Sequence, residues 1–292
     1  MTSATRQPET PASASSTVPP RLIATDLDGT LLRDDKTVSE RTVAALAAAE
    51  AAGVEVFFVT GRPARWMDVV SDHVHGHGLA ICGNGAAVVD LHGGPGAHRF
   101  VKVREVPREN ALDAVRLLRE VAPGTVYAVE QTYGFYQEPA YPKLHMEIPD
   151  HLAPAEQLLS PDAPGAGEPV LKILAFHPEL DPDVFLALAR RAVGDRASIT
   201  RSSPSALLEI SGPGVSKAST LALSCAERGI SPEEVVAFGD MPNDVEMLSW
   251  AGRSYAMGNA HPDVLAATSG RTVANNEDGV AVVIEKILAE RS

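Results

Sequence analysis

The chain has 292 residues, of which 45% are hydrophobic, and it carries a formal net charge of −13. The composition is that of a globular protein with a sizeable core, and the length allows two domains. The negative charge repels nucleic acids and anionic membranes, so we expect neither as a partner. An acidic protein that binds phosphates needs a local excess of positive charge, which a divalent cation and a lysine could supply.

Cysteine content and hydropathy predict the cellular compartment. The two cysteines, Cys82 and Cys225, are far apart and form no CxxC pair, which argues against a zinc site. So few thiols in a chain of this length are typical of a reducing cytoplasm. No apolar run approaches the roughly 18 residues of a membrane span, and the N-terminus lacks the apolar stretch of a signal peptide. We therefore predict a cytoplasmic protein.

Strands and helices alternate after a polar N-terminal segment. Residues 1–20 are rich in Ser, Thr, Ala and Pro, which predicts a disordered tail. The next predicted elements are strand Leu22–Thr25, a helix from about Ser39 to a stop at Gly53, strand Val54–Val59 and strand Leu79–Ile81. Short buried strands that alternate with helices predict a parallel sheet with right-handed crossovers.

The pattern changes after Gly85. Strands Ala87–Asp90 and Phe100–Val103 flank a glycine-rich turn and predict a hairpin, and further strands and two helices follow before the alternation resumes at Gly214. The simplest interpretation is a doubly wound, mostly parallel α/β core that is interrupted by an inserted α+β cap domain. The predicted boundaries are residues 1–20 for the tail, 21–85 and 211–292 for the core, and 86–210 for the cap.

Two carboxylates define the strongest motif, Asp26-Leu27-Asp28-Gly29-Thr30, which follows the first strand. Ligands of open α/β sheets bind at the carboxyl ends of the strands. Strand periodicity places Asp26 and Asp28 on the same side, where one could attack as a nucleophile while the other transfers a proton. A strand that is followed by an ordinary Asp-Gly turn is the alternative.

Two later features carry groups that suit phosphate. Thr60 and Gly61 follow a buried strand, and the hydroxyl and backbone N–H groups there could cradle phosphate oxygens. A helix-capping turn is the alternative for this segment. Lys217 lies near a helix start, where a cation opposes the helix dipole at a cost of roughly a few tenths of a kcal/mol. Such a placement favours a functional role, and an exposed lysine is the alternative.

An acidic pair follows a further predicted strand. The segment Gly239–Asp244 contains Asp240 and Asp244, whose oxygens suit a hard divalent cation. Asn243 lies between them and could, like Asp240, serve only as the N-cap of the following helix. The sequence therefore leaves a metal site and a plain helix start both open at this position.

These four features occur in chain order, each at a strand end or the start of the next helix. DLDGT, TGR, the Lys of GVSK and GDMPND resemble the four signatures of the haloacid dehalogenase superfamily. The segments ICGNGA, LEISGPGVSKASTL and MGNA also resemble those of Cof-type phosphatases, in which a large α/β cap lies between the second and third signatures. The resemblance covers residues 21–292 in layout, although the cap itself carries little family signal.

The resemblance implies a phosphatase that depends on Mg²⁺. Asp26 would form an aspartyl-phosphate and ligate the metal, and Asp28 would be the general acid/base, with its backbone carbonyl on the metal. The other implied roles are phosphoryl binding by Thr60, Gly61 and Lys217, a contact on the phosphate side by Asn243, direct metal ligation by Asp240, and direct or water-mediated ligation by Asp244. Asn84 could face the substrate or serve only as a hinge turn.

The implied substrate is a small phosphorylated metabolite, such as a sugar phosphate or a phosphorylated cofactor. A phosphomutase of hexose phosphates and a non-catalytic protein that binds phosphorylated ligands are the alternatives. The intact pair Asp26 and Asp28 argues against the second of these. The sequence names neither the substrate nor the oligomeric state.

Overall fold

The computed structural model describes residues 18–71, 78–144, 148–203 and 205–290. Most of the predicted tail, residues 1–17, lies outside this part of the chain. Among the helices that are described, none is both long and apolar enough to cross a membrane.

The secondary structure alternates much as the sequence predicts. In chain order, the strands are β1 (Leu22–Thr25), β2 (Glu55–Val59), β3 (Leu79–Cys82), β4 (Ala87–Asp90), β5 (Arg99–Val103), β6 (Val126–Gln131), β7 (Phe135–Gln137), β8 (His151–Leu152), β9 (Val170–Phe176), β10 (Ser198–Thr200), β11 (Leu207–Ser211), β12 (Val235–Gly239), β13 (Arg253–Ala256) and β14 (Gly270–Arg271). The α-helices are α1 (Glu40–Ala51), α2 (Asp68–Ser71), α3 (Arg108–Val121), α4 (Ala155–Leu158), α5 (Pro182–Val193), α6 (Lys217–Ala226), α7 (Val245–Trp250), α8 (Pro262–Ala267) and α9 (Gly279–Ala289).

Eight strands form the larger sheet, in the order β14-β13-β12-β1-β2-β3-β4-β5. From β14 to β3 every strand is parallel to its neighbours. Ile23 of β1 packs with α1 and α9 on one face, whereas Leu22 and Ala24 pack with α6 and α7 on the other. Because helices cover both faces, β1 is apolar throughout. The predicted doubly wound, mostly parallel sheet is confirmed.

The predicted hairpin forms, but it extends the core sheet. Strand β4 pairs antiparallel with β3, with Val89 opposite Ala80, and β5 pairs with β4. The sequence predicts this hairpin as part of the insert, because an alternating strand pattern does not reveal which sheet the strand will join. The sheet of the insert itself begins only at Val126. The domain boundaries as a whole remain a prediction.

Six strands form the second sheet, in the order β10-β11-β9-β6-β7-β8. Its core contains Ile173 and Leu208, which pack with α3 and α5 on one face of the sheet. Since side chains alternate along a strand, Lys172 and Glu209 point to the opposite face, and so does Glu130. That second face turns towards the core strand ends and forms one wall of a cavity.

Local capping explains where two important helices begin. The hydroxyl of Ser39 accepts a hydrogen bond from the backbone N–H of Thr42 at 3.0 Å and caps the start of α1. The helix ends before Gly53, which adopts a left-handed φ of 79°. Helix α6 starts immediately after Ser216, which forms a reciprocal capping box with Ser219. The short elements α8 and β14 were not predicted.

Candidate active site

The carboxyl ends of neighbouring core strands bring the first two carboxylates together. Asp26 follows β1, and Asp240 follows β12, the strand beside β1. The backbone N–H of Asp26 donates to the carbonyl of Phe238 at 3.1 Å, which extends the parallel ladder by one residue. Both aspartates therefore lie buried at the edge of the sheet where ligands of this fold class bind.

Lys217 lies between two of the predicted site residues. Its Nζ donates to Oδ1 of Asp26 at 2.6 Å and to Oδ1 of Asp244 at 2.7 Å, and its side chain is only 1% exposed. Burial acts to lower the pKa of Lys217, but the charges of Asp244 and Asp26 outweigh this effect and raise the pKa above its ordinary value. The alternative of an exposed lysine is therefore wrong.

Three carboxylates cluster around this lysine. One side-chain oxygen each of Asp26, Asp240 and Asp244 lies within 4.8 Å of the others. The carboxylate of Asp244 accepts hydrogen bonds from the backbone N–H groups of Asp240 and Met241, both at 3.1 Å. The hydroxyl of Thr30 donates to Oδ1 of Asp240 at 3.1 Å. Backbone and hydroxyl donors thus orient the carboxylates of Asp244 and Asp240.

The charges in this cluster are not balanced, because three carboxylates face one ammonium group. Burial raises the pKa of Asp26 well above its ordinary value, although Lys217 acts in the opposite direction. Burial, followed by the charge of Asp244, raises the pKa of Asp240 to about 7. A divalent cation among these oxygens would offset the excess negative charge.

The donor set fits Mg²⁺. Carboxylate oxygens are the hard ligands that Mg²⁺ takes in proteins. Gly29 adopts φ 78°, and a Cβ at this position would lie 2.3 Å from Oδ2 of Asp240. Position 29, within the first motif, therefore has to be glycine so that the carboxylate of Asp240 can lie against the backbone.

Asp28 lies beside the cluster, but its carboxylate is not part of it. Arg62 Nε and Nη2 donate to its two oxygens at 2.6 and 2.7 Å, and Lys36 Nζ donates at 2.9 Å. Burial acts to raise the pKa of Asp28, but the bonds and charges of Arg62 and Lys36 outweigh it and hold the pKa at about 2. The two aspartates of the first motif thus differ in environment, since the pKa of Asp26 is raised and that of Asp28 is lowered.

Three of the predicted phosphate-binding residues, Thr60, Gly61 and Asn243, line a cavity, whereas Lys217 is not among its lining residues. The buried hydroxyl of Thr60 accepts the backbone N–H of Arg62 at 3.1 Å. A Cβ at Gly61 would lie 3.2 Å from Oδ1 of Asn84, so a larger residue would crowd this turn. Asn243 Nδ2 donates to the same oxygen of Asn84 at 3.1 Å. Among the residues described, the amide oxygen of Asn243 has no hydrogen-bond partner.

Sequence reasoning assigned no role to several charged residues of the cavity. Arg62 belongs to a quoted motif, but its pairing with Asp28 depends on the contact between two separate turns. Lys172 and Glu209 each interrupt an otherwise apolar strand. A charge within such a strand is a signal that could have indicated a buried polar site.

A cavity of about 310 Å³ lies between the core strand ends and the second sheet. The residues on its core side include Asp26, Asp28, Thr60, Gly61, Arg62 and Asn243. The residues on the opposite side include Glu130, Phe135, Tyr141, Lys172, Leu174 and Glu209. The core side of the cavity therefore carries both carboxylates and an arginine, and the opposite side carries aromatic and charged side chains.

Comparison with known proteins assigns the chain to a family. The haloacid dehalogenase-like hydrolases match residues 23–284. The chain belongs to this family. YxeH from Bacillus subtilis is 31% identical over 288 residues, which cover 92% of this chain and 98% of YxeH. The 5-amino-6-(5-phospho-D-ribitylamino)uracil phosphatase YitU of the same species is 30% identical and covers 90% of this chain and 95% of YitU.

A solved structure has the same fold as this hydrolase over nearly its whole length. It is that of BT1666 from Bacteroides thetaiotaomicron, reported among phosphatases of the haloalkanoate superfamily, with a TM-score of 0.76 and 22% identity. The match covers 96% of this chain and 98% of that chain. The resemblance that the four motifs suggested is thereby confirmed, and the hydrolase is an enzyme of the phosphatase type.

Proposed function

We propose that this hydrolase removes the phosphoryl group from a small phosphorylated metabolite, using Mg²⁺ and an aspartyl-phosphate on Asp26. The observation that carries the proposal is the position of Asp26. Its buried carboxylate lies at the floor of the cavity, bonded to Lys217 and beside two further carboxylates. A carboxylate with an adjacent cation and an open face is placed to attack a phosphorus atom.

In the first step, an oxygen of Asp26 attacks phosphorus and the bond to the leaving-group oxygen breaks. Asp28 supplies the proton that the leaving oxygen takes. In the second step, water attacks the phosphorus of the aspartyl-phosphate, Asp28 takes the proton from that water, and inorganic phosphate is released with Asp26 restored. Splitting the displacement in this way replaces one difficult step by two easier ones.

Fixed charges stabilise the phosphoryl group in both steps. Lys217 is within bonding distance of Asp26 and can donate to a phosphoryl oxygen. Thr60 and the backbone of Gly61 would bind the neighbouring phosphoryl oxygens. Asn243 would contact the phosphate side of the leaving group. Bound Mg²⁺ would supply charge neutralisation and Lewis acidity; Asp26, Asp240 and Asp244 would hold it through side chains and Asp28 through its carbonyl.

The pairing of Asp28 with Arg62 bears on proton transfer. In the present arrangement the pKa of about 2 keeps Asp28 ionised, which is the form required for accepting a proton in the second step. For the first step Asp28 has to carry a proton. Arg62 and Lys36 therefore have to leave Asp28 when substrate binds, and a phosphate dianion in the cavity is a competing partner for both cations.

The lining of the cavity supports a proposal for the substrate class. Phosphate would lie at Asp26, and the rest of the molecule would meet a wall that contains Phe135 and Tyr141 as well as Lys172 and Glu209. A leaving group with both hydroxyl groups and an apolar or planar part suits such a wall. The name of the relative YitU, a phosphatase of a ribitylamino-uracil phosphate, describes a compound of this kind.

A screen for phosphate release tests the proposal. Purified protein is offered a panel of phosphorylated metabolites, with Mg²⁺ in one series and a chelator in the other. Release of inorganic phosphate with Mg²⁺ only, from at least one small phosphomonoester, is the expected result. Activity that needs a bisphosphate activator and moves phosphate within a hexose would favour a mutase. Release from no compound in either series would contradict the proposal.

A further inference from the structure

The second sheet presents a row of alternating charges to the core. Lys172 on β9 is flanked by Glu209 on β11, with Nζ at 2.8 Å from Oε2, and by Glu130 on β6, with Nζ at 3.8 Å from Oε2. All three side chains are at most 5% exposed. Buried charges are costly, and natural proteins retain them where they are paired and have a specific task.

Lys172, on the second sheet, contacts one backbone atom of the core. Its Nζ donates to the backbone carbonyl of Gly61 at 2.6 Å. Gly61 follows Thr60, whose hydroxyl and neighbouring backbone are assigned to the phosphoryl oxygens. Because a peptide unit is planar, fixing the carbonyl of Gly61 also fixes the direction of the next N–H group, that of Arg62.

Glu209 reaches a second core turn. Asn84 Nδ2 donates to Oε2 of Glu209 at 2.8 Å. Asn84 is 2% exposed and has the left-handed φ of 55°, an uncommon conformation for a residue with a side chain. Its amide oxygen in turn accepts Nδ2 of Asn243. Glu209 therefore determines which way the amide of Asn84 points, and Asn84 determines which way that of Asn243 points.

The pair thus touches two core turns of the phosphoryl site while remaining part of the insert. Lys172 also donates a hydrogen bond to one carboxylate oxygen of Glu209, and the hydroxyl of Ser202 donates to the other. Removing Lys172 leaves Glu209 buried without its counter-charge, and removing Glu209 leaves Lys172 with only the more distant Glu130 at 3.8 Å; either change releases one of the core contacts. The two side chains therefore act as one unit.

We propose that Lys172 and Glu209 are positioning residues for phosphoryl transfer, which hold the Gly61 and Asn84 turns in the geometry that the transferred group requires. This inference rests on the proposed phosphatase function. The alternative role is recognition of the leaving group, since both residues also line the cavity. The two roles differ in what they affect, because the phosphoryl group is common to all substrates and the leaving group is not.

The test compares two substrates with different leaving groups, p-nitrophenyl phosphate and the best metabolite found in the screen. Lys172→Met and Glu209→Gln should each lower kcat by about 100-fold, the loss expected for a misplacement of about 1 Å. The factor should be the same for both substrates, and KM should change much less. Lys143→Met, which removes an exposed cation of the same cavity, should instead affect the two substrates unequally.

Chemical rescue separates positioning from packing. Ethylammonium should restore part of the kcat of Lys172→Ala, and propanol, which has a similar volume and no charge, should not. If a single variant fails to fold, the double variant Lys172→Met with Glu209→Met removes both charges, avoids a lone buried one and should fold but show the same loss of kcat.

With an active wild type, three results would overturn the inference. Unequal losses with the two substrates would assign the pair to the leaving group. Unchanged kcat in a folded variant would show that the contacts have no role in the reaction. Rescue by propanol as good as that by ethylammonium would reduce the role of Lys172 to packing. If the wild type itself releases no phosphate, the proposed function fails and the inference fails with it.

Discussion

Nζ of Lys217 lies 2.6 Å from Oδ1 of Asp26. The same ammonium lies 2.7 Å from Asp244, and no part of it is appreciably exposed. The contact joins the start of α6 to the end of β1, two elements that are nearly two hundred residues apart in sequence. It places a fixed positive charge next to the atom that we propose as the nucleophile.

Lys217→Met should lower kcat by about 100- to 1,000-fold, the range found when one preorganised donor to a developing charge is removed. Steady-state phosphate release checks this. Lys286 is an exposed lysine on α9, remote from the cavity, so Lys286→Met is the matched control and should leave kcat unchanged. Equal rates for the two variants would show that Lys217 does not act on the phosphoryl group.

Mg²⁺ should stabilise the folded protein, because the acidic cluster exists only in the folded state. At a hundredfold excess over the dissociation constant the gain is about 2.7 kcal/mol. Thermal melts with Mg²⁺ and with chelator measure it. Asp240→Asn should lose much of the shift in Tm, whereas Asp28→Asn should keep most of it and still lose turnover, since the Asp28 carboxylate faces Arg62 instead of the cluster.

Two outcomes would contradict this division of roles. If Asp28→Asn loses the Mg²⁺ shift as fully as Asp240→Asn, the Asp28 carboxylate is itself a ligand. If the wild type shows no shift at millimolar Mg²⁺, the metal assignment is wrong.

Gly29→Ala should abolish the Mg²⁺ shift, because the new Cβ would lie 2.3 Å from Oδ2 of Asp240. Gly53→Ala is the matched control. Gly53 has nearly the same positive φ, 79°, but among the described residues, its two chain neighbours aside, no heavy atom lies within 4 Å of its added Cβ. Both variants pay about 1–2 kcal/mol for the left-handed backbone, so only the displacement of Asp240 distinguishes them. An equal Mg²⁺ shift in the two variants would show that the turn does not shape the metal site.

Without metal, stability should fall as the pH rises from about 4 to 7. In this window folded Asp240, with a pKa of about 7, retains a proton that the unfolded chain, with a pKa near 3.9, has lost. The native state then binds more protons, so the free energy of unfolding decreases by up to about 1.4 kcal/mol per pH unit for this group. Denaturant unfolding in chelator measures the slope. Asp240→Asn should flatten it, and an unchanged slope would assign the titration to other groups.

Much of the core could be predicted from the sequence, because its signals are local. Ser39 before an apolar periodicity and Gly53 after it indicate a helix with both ends, and Asp26 and Asp240 each follow a short apolar run. The carboxyl ends of parallel strands meet at one sheet edge, so the convergence of these two aspartates was also predictable. For Lys217, the unfavourable position at a helix start indicated a functional role but not burial, and an exposed lysine remained open.

The contacts between distant turns could not be predicted in this way. The bidentate bond between Arg62 and Asp28 depends on side-chain directions in two separate loops, and the hydrogen bond of Glu209 to Asn84 depends on how the second sheet sits on the core. The β4–β5 hairpin shows the same limit, since its pattern fits either sheet. Such pairings are decided by tertiary packing, which no short window of sequence contains.

The most direct test of the account is the rate of phosphate release by Asp26→Asn with saturating Mg²⁺. The amide is nearly isosteric with the carboxylate, so a melt in chelator should first establish that the variant is folded. Loss of a covalent nucleophile should lower kcat by several orders of magnitude with every substrate that the wild type accepts. A folded Asp26→Asn variant that retains more than about a tenth of wild-type turnover would contradict the aspartyl-phosphate mechanism.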